Sequence, residues 1–302
     1  MGPDAEPPRG AVVEVVVRAL AEDLTPLGDI TSSLLPPDLV ATARFVARRP
    51  GVLAGGAAAT EVFGQVDTEV ALTWHRRDGD RVEQGSAIAD VRGRLRSVLT
   101  AERTALNLLG HLSGVATETR RYVDAVAASG GTARVWDTRK TTPGLRALEK
   151  AAVRAGGGVN HRGNLSDWIL LKDNHLALMG ITAAVERAHR DWPARTVHVE
   201  CDRLDQVGEA LAAGADAILL DNMSPTEVAA CVAAAEAHAA GGGRRPLLEV
   251  SGEITVDTIG DYAGLGVDCI SVGAITKSAP VLDIGLDIEP VVPPAFGPPG
   301  VG

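Results

Sequence analysis

Two different hydrophobic patterns follow each other along the chain. In the first, residues 11–22 are apolar with a charge at every fourth position, which leaves one polar stripe on a helix. Residues 41–48 alternate polar and apolar as a strand does, and residues 66–74 do so less regularly. Residues 98–128 predict a long helix interrupted at the glycines near its middle. This part of the chain therefore predicts mixed α and β structure.

From residue 132 the pattern changes to short apolar strands alternating with helices. Strands are predicted at 133–137, 168–172, 197–201, 217–221, 247–251 and 269–273. Helices are predicted at 143–155, about 180–191, 203–213, 224–240 and 255–263, with Pro143 in the first turn of the first. Near-continuous apolar strands separated by helices favour a parallel sheet, and their even spacing favours closure into a barrel.

Length and composition bound the number of domains. A chain of 302 residues with 45% apolar content predicts one large or two moderate domains. We expect an α/β domain over 11–128, to which the chain end is able to return, and a barrel domain over 129–289. The segments 1–10 and 290–302 are rich in Pro and Gly, so disordered tails are predicted there.

Several classes of protein are disfavoured by composition. No apolar run reaches the length of a membrane span, and the N-terminus lacks a basic leader followed by an apolar segment. The three cysteines form no close pair, which indicates reduced thiols and neither a disulfide framework nor a zinc site. These features predict a cytoplasmic protein.

The charge is distributed unevenly. The whole chain has a formal charge of −10, yet residues 134–175 hold eight Lys and Arg against four Asp and Glu, a local charge of +4. A cationic region in an anionic protein favours a small, multiply charged anionic ligand. Nucleic acid is disfavoured, because the remaining surface would repel a polyanion.

Polar residues or glycines end each of the predicted strands. They are Asp137, Lys172, Glu200, Asp221, Ser251 with Gly252, and Gly273. In an α/β barrel the carboxyl ends of all strands open on one face, where active sites are built. The sequence therefore predicts that these residues converge on one opening.

The residue types at these ends indicate the chemistry. Arg139 and Arg162 offer planar forks for carboxylates or phosphates, whereas Lys140 and Lys172 are compact point charges. Taken singly, each has an ordinary explanation, such as an exposed ion pair worth about 0–1 kcal/mol. Only the joint pattern predicts a site.

The remaining strand ends suit a sugar phosphate. Ser251-Gly252 and Gly273 would expose backbone N–H groups to a phosphate after the last two strands. Glu200 and Asp221 place two carboxylates in a cationic site, which fits ribose hydroxyls, magnesium or a developing positive charge.

Three motifs together resemble the quinolinate phosphoribosyltransferase family: DTRKTTPG at 137–144, GGGVNHR at 156–162 and LLKDNH at 170–175. The match runs nearly end to end, from EDLTPLGDIT at 22–31 to SVGAITKS at 271–278. The resemblance implies an α/β fold, with an N-terminal open α/β sandwich and a C-terminal incomplete α/β, TIM-like barrel. It also implies a homodimer with shared active sites, and it leaves open whether dimers assemble into hexamers.

The implied reaction transfers phosphoribose from 5-phosphoribosyl 1-pyrophosphate to quinolinate with decarboxylation. Its products are nicotinate mononucleotide, pyrophosphate and CO2, in NAD biosynthesis, with Mg²⁺ accompanying the phosphoribosyl pyrophosphate. The family's quinolinate-binding residues correspond by position to Arg139, His161, Arg162 and Lys172 of this chain. The resemblance also implies that Arg103 is supplied by the neighbouring subunit.

The same resemblance assigns the second substrate. Phosphoribosyl pyrophosphate is expected at Lys140, Glu200, Asp221, Ser251, Gly252, Gly273 and Lys277. Lys140, Glu200 and Asp221 are the expected catalytic residues, and the two carboxylates would hold the metal directly or indirectly. Lys277 stands where the family pattern predicts a histidine.

Three other functions remain open from the sequence. The first is a nicotinate-type phosphoribosyltransferase without decarboxylation, which would need one carboxylate-binding group fewer. The second is a barrel lyase in which Lys172 or Lys140 forms a Schiff base. The third is a non-catalytic sugar-phosphate sensor on the same scaffold.

Overall fold

The computed structural model describes residues 6–289, and the chain divides into two compact units. One contains the residues up to Gly114 together with those from Val281 onward, and the other spans Val115–Pro280. The predicted boundary at 128/129 differs because one helix, α3 (Leu95–Ala128), runs through the junction. The predicted tail residues 1–5 and 290–302 lie outside the described part, and helix α1 begins at Arg9, inside the predicted N-terminal tail.

The N-terminal unit is built on a four-stranded antiparallel sheet. Its elements are α1 (Arg9–Leu24), a 3-10 turn (Ser32–Leu34), β1 (Val40–Ala47), β2 (Gly51–Val52), α2 (Gly56–Val66), β3 (Ala71–Trp74), β4 (Arg81–Val82), β5 (Ala87–Arg94), α3 and β12 (Ile284–Ile288). The sheet order is β12-β1-β5-β3, and β2 pairs with β4. Alternate residues of β1 are buried, as expected for a sheet with one covered face. The chain end thus returns to this unit through β12.

Two sequence predictions in this unit are wrong in detail. The strand expected over 66–74 covers only Ala71–Trp74, because α2 extends to Val66. Helix α3 is continuous through its central glycines. A Cβ at Gly110 would lie 3.0 Å from the carbonyl oxygen of Leu282, so this glycine lets the chain before β12 pack closely on the helix.

The second unit is an incomplete barrel of six parallel strands, which confirms the predicted fold class. Its elements are β6 (Arg134–Trp136), α4 (Arg146–Ala155), β7 (Ile169–Leu171), α5 (Asp173–Met179), α6 (Ile181–Asp191), β8 (Val197–Cys201), α7 (Leu204–Ala212), β9 (Ala217–Asp221), α8 (Pro225–Ala240), β10 (Leu247–Ser251), α9 (Ile259–Ala263), β11 (Cys269–Ser271) and α10 (Ala274–Lys277). The strand order is β6-β11-β10-β9-β8-β7. Within residues 6–289, β6 and β7 are not paired, so the barrel is open there.

All six predicted strands of this unit exist, but four helices differ from expectation. Helix α9 begins at Ile259 instead of residue 255, and α10 was not predicted. Pro143 does not begin α4, because Gly144 has a φ of 83° and Leu145 N–H donates to the Thr142 carbonyl in a turn. The short helix α5 was not predicted. His175 Nδ1 accepts the backbone N–H of Lys172 at its start, at 3.1 Å.

Strand register places one set of side chains on a common face. Glu200 pairs with Leu219, Leu219 with Glu249, and Asp221 with Ser251. Since side chains alternate along a strand, paired residues in neighbouring strands point to the same side. This face carries the polar residues of the site.

Among residues 6–289, none of the helices combines the length and apolar content that a bilayer span requires.

Candidate active site

A pocket of about 930 Å³ lies in the second unit, and eleven of the twelve sequence-predicted site residues line it. They are Arg139, Lys140, His161, Arg162, Lys172, Glu200, Asp221, Ser251, Gly252, Gly273 and Lys277. The twelfth, Arg103, is exposed on α3 and is not part of this lining. The residues that end strands β7 to β11 in the sequence prediction therefore line a single pocket.

A buried ion pair holds the loop that carries His161 and Arg162. Asp137 is fully buried, and its Oδ1 accepts from Lys150 Nζ at 2.5 Å and from the His161 backbone N–H at 2.8 Å. Lys150 Nζ also donates to the His161 carbonyl at 2.9 Å. Burial raises the pKa of Asp137 and lowers the pKa of Lys150, and the mutual contact opposes both changes. Both backbone polar groups of His161 are thereby fixed.

The arginine side of the pocket has unused hydrogen-bonding capacity. Arg162 is 7% exposed and donates through Nη1 to the Trp168 carbonyl at 3.2 Å. Within residues 6–289, the buried Nε atoms of Arg139 and Arg162 have no hydrogen-bond partner. Burial, together with the charge of Arg139, lowers the pKa of Arg162. An anionic ligand would relieve this repulsion and occupy the free donors.

The lysine side is more exposed. The Lys172 ammonium pairs with the Glu200 carboxylate, although its side chain remains 46% exposed. Lys140 is also exposed, and its backbone carbonyl accepts from Thr276 Oγ1 at 2.8 Å, which ties this loop to α10. Lys277 is exposed at the end of α10. These charges can adjust to a ligand.

Two glycines allow close backbone approach at the strand ends. Gly252 has a φ of 141°, and a Cβ there would lie 2.6 Å from Asn222 Oδ1. A Cβ at Gly273 would lie 3.0 Å from Lys140 Cδ. Side chains at either position would crowd the pocket mouth, so both glycines suit backbone binding of an anion.

Sequence reasoning missed a buried group beneath the pocket. Glu249 Oε2 lies 3.3 Å from His161 Nε2 and 3.5 Å from His198 Nε2. Burial works to raise the pKa of Glu249, but the neighbouring His161 and His198 outweigh it and keep the pKa below its usual value. Burial lowers the pKa of His198 to about 4. A glutamate inside the apolar strand LLEVS was the signal available in the sequence.

Comparison with known proteins covers both units. The family model "Quinolinate phosphoribosyl transferase, N-terminal domain" matches residues 29–113, and the corresponding C-terminal domain model matches residues 115–287. A nicotinate-nucleotide pyrophosphorylase [carboxylating] from Mycobacterium leprae is 44% identical over 284 residues, which cover 92% of this chain and 97% of that protein. A probable nicotinate-nucleotide pyrophosphorylase [carboxylating] from Bacillus subtilis is 40% identical, covering 86% and 88%.

Solved structures agree with this result. The nicotinate-nucleotide pyrophosphorylase from Francisella tularensis superposes with a TM-score of 0.87 at 40% identity, covering 94% of this chain and 98% of that one. NadC from Streptococcus pyogenes superposes with a TM-score of 0.87 at 39% identity, covering 94% and 99%.

Proposed function

The chain belongs to the quinolinate phosphoribosyltransferase family, and on that premise we propose that it makes nicotinate mononucleotide. The substrates are quinolinate and 5-phosphoribosyl 1-pyrophosphate, and the other products are pyrophosphate and CO2. The observation that carries the proposal is the pocket itself. It brings two arginine forks, Arg139 and Arg162, together with the carboxylates of Glu200 and Asp221.

The arginine side suits quinolinate, a planar pyridine with two adjacent carboxylates. Arg139 and Arg162 would each bind a carboxylate, with His161 and Lys172 completing the charge balance. Arg103 of a neighbouring subunit is proposed to contribute to the same binding site. Two polyanionic substrates must approach each other here, and the clustered cations would offset their repulsion.

The opposite side suits phosphoribosyl pyrophosphate. Backbone groups at Ser251, Gly252 and Gly273 would bind the 5-phosphate, and Lys140 and Lys277 would attract the phosphate charges. Glu200 and Asp221 would face the ribose. As the bond to pyrophosphate breaks, positive charge builds on the sugar, and these carboxylates stabilise it.

Decarboxylation follows from the substrate's own chemistry. The ring nitrogen attacks the sugar carbon, pyrophosphate leaves, and the ring becomes a pyridinium. When the bond to the carboxylate beside the nitrogen breaks, its electron pair stays on the ring carbon next to the positive nitrogen, and that carbon then takes a proton. The protein's task is to bind and orient the two substrates.

A magnesium ion is part of the proposal, accompanying phosphoribosyl pyrophosphate. The donors fit, because Glu200 and Asp221 offer carboxylate oxygens from neighbouring strands on one face of the sheet. When bound, the ion would offset the pyrophosphate charge. Glu200 is also the ion-pair partner of Lys172, so Lys172 and the metal ion would share this carboxylate.

Assembly and location complete the proposal. We propose a homodimer with shared active sites, in which Arg103 of one subunit completes the pocket of the other. A cytoplasmic location is supported by three buried cysteines that are all free thiols.

One assay tests the function directly. Purified protein is supplied with phosphoribosyl pyrophosphate, Mg²⁺ and quinolinate labelled with ¹³C in the carboxylate beside the ring nitrogen. We expect labelled CO2 and nicotinate mononucleotide in equal amounts. Turnover of nicotinate at a similar rate, with no CO2 from quinolinate, would instead indicate the nicotinate-type enzyme. Nothing favours the Schiff-base lyase, since Lys140 is exposed and Lys172 is ion-paired.

A further inference from the structure

His161 of the proposed quinolinate site lies against two buried residues, His198 and Glu249, which have no role in the chemistry described so far. Glu249 is fully buried on β10, and within residues 6–289 its ion-pair partners are the two imidazoles. In the described part of the chain, neither of its carboxylate oxygens makes a well-aligned hydrogen bond. A buried carboxylate without Lys or Arg requires N–H donors, because desolvation of its charge is costly.

His161 is the histidine that connects this carboxylate to the ligand pocket. Its Nε2 is the nearer of the two, at 3.3 Å against 3.5 Å for His198, and both His161 and Glu249 line the pocket. With Nε2 turned to Glu249, Nδ1 is the ring nitrogen left for a ligand. An imidazole that carries a proton on each nitrogen donates at both ends, so His161 could bridge Glu249 and a ligand carboxylate.

The His161 ring is held firmly in this orientation. The ring centroid of Trp168 lies at 4.8 Å and that of Trp136 at 5.8 Å, both within the range of aromatic ring contacts. Asp137 and Lys150 fix the backbone of the same residue. The aromatic contacts and the fixed backbone favour the orientation in which Nε2 lies toward Glu249.

We propose that Glu249 is a positioning residue for the dicarboxylate substrate: it accepts the Nε2–H of His161 and so directs this imidazole, as a charged donor, at a ligand carboxylate. This role rests on the proposed function. The contact tightens when ligand binds, as hydrogen bonds in active sites commonly do. The other groups facing Glu249 are His198 from β8, Ser271 and Cys269 from β11, and the apolar Leu219 from β9, and the charge of Arg162 acts on His198.

A metal ion is the competing use of the same three side chains. Their ligand atoms lie within 4.8 Å of one another, a spacing that zinc would accept. A metal bound at His161 Nε2 would take the place of the Nε2–H that Glu249 accepts, so the two uses exclude each other. The proposal assigns a proton to this nitrogen, and the tests below distinguish the proton from a metal.

The first test is a double-mutant cycle of Glu249→Gln and His161→Ala. The probe is benzene-1,2-dicarboxylate, which keeps both carboxylates and lacks the reactive nitrogen, and its Kd is measured by calorimetry beside steady-state kinetics. We expect Glu249→Gln alone to raise this Kd and the KM for quinolinate about tenfold, as for loss of one charge-assisted hydrogen bond. The KM for phosphoribosyl pyrophosphate should not change. In the His161→Ala background the same substitution should change Kd less than about twofold.

A second measurement does not depend on the variants being stable. Histidine ¹⁵N spectra of the wild-type protein at neutral pH should show a protonated Nε2 for His161, assigned by the signal lost in His161→Gln. An unprotonated Nε2 overturns the proposal. So does an equal effect of Glu249→Gln in both backgrounds, or stoichiometric zinc in the purified protein that Glu249→Gln removes. If the wild-type protein makes no nicotinate mononucleotide, the proposed function fails instead.

Discussion

The two sides of the pocket are built differently. His161 and Arg162 are each 7% exposed, on a loop fixed by a buried ion pair. Lys140 and Lys277, the two lysines proposed to bind phosphoribosyl pyrophosphate, are exposed at a loop and at a helix end. A rigid, partly desolvated side suits a planar ligand of fixed geometry, whereas adjustable point charges suit a flexible pyrophosphate. The comparison shows how one cationic pocket can distinguish two anionic substrates: by the rigidity of the side chains that bind each of them as well as by their charge.

The largest effect on catalysis is expected on the rigid side. Arg162→Gln removes a buried fork aimed at a carboxylate, so kcat/KM for quinolinate should fall about a thousandfold. The melting temperature should stay the same or rise, because the repulsion from Arg139 is relieved. Steady-state kinetics measure kcat/KM, and scanning calorimetry measures the melting temperature. Arg187→Gln, which removes an exposed arginine from α6, is the control and should keep wild-type kinetics.

The ion pair beneath the loop should matter for both stability and binding. Asp137→Asn leaves Lys150 buried without its partner, so the free energy of unfolding should fall by about 3–5 kcal/mol and the KM for quinolinate should rise. Replacing both residues, as in Asp137→Asn with Lys150→Met, should restore much of the stability but not the KM, because the His161 carbonyl loses its donor. Denaturant titration and kinetics separate the two effects. Full recovery of the KM in the double variant would contradict the loop-holding role.

A substitution at the phosphate loop should affect the other substrate. Gly252→Ala places a Cβ 2.6 Å from Asn222 Oδ1 at a φ of 141°, so the loop must shift. We expect the KM for phosphoribosyl pyrophosphate to rise by about tenfold or more while quinolinate binding changes little. Gly208→Ala, in α7 with no atom within 4 Å of the added Cβ, is the matched control. Equal changes for both substrates would argue against a local phosphate role.

The smallest effect is expected at the exposed end of the lysine side. Lys277→Ala removes one solvent-exposed charge, so the KM for phosphoribosyl pyrophosphate should rise by no more than about tenfold. The difference from wild type should shrink as salt is added, because exposed charges are screened. Kinetics at low and high ionic strength measure this. A loss as large as that of Arg162→Gln would mean that Lys277 is held more rigidly than its exposure indicates.

Much of the second unit could be predicted because strand ends and hydrophobic runs are local signals. The apolar run AILLD predicted β9 together with Asp221 at its end, and the barrel rule then placed Asp221 beside Ser251. By contrast, the helix start predicted at Pro143 was wrong, because the left-handed conformation of Gly144 prevents a helical turn there. The interruption predicted at the glycines of α3 was wrong for a different reason. Gly110 allows the chain near Leu282 to pack closely on the helix and does not break it.

The buried layer beneath the pocket could not be found by the same reasoning. Asp137 was recognised as a strand end, but its partner Lys150 lies on a helix thirteen residues later, and only the fold brings them together. Glu249 lies in the middle of its strand and faces His161 and His198 from two other segments. Such contacts depend on sheet register, which a single sequence does not give.

The central claim is that one pocket binds the dicarboxylate on its rigid side. A crystal structure with quinolinate bound tests it most directly. We predict carboxylate oxygens within about 3.2 Å of the guanidinium groups of Arg139 and Arg162. The ring nitrogen should face the side where Glu200 and Asp221 lie. Quinolinate bound at the lysine side, with both arginines unpaired, would contradict the account.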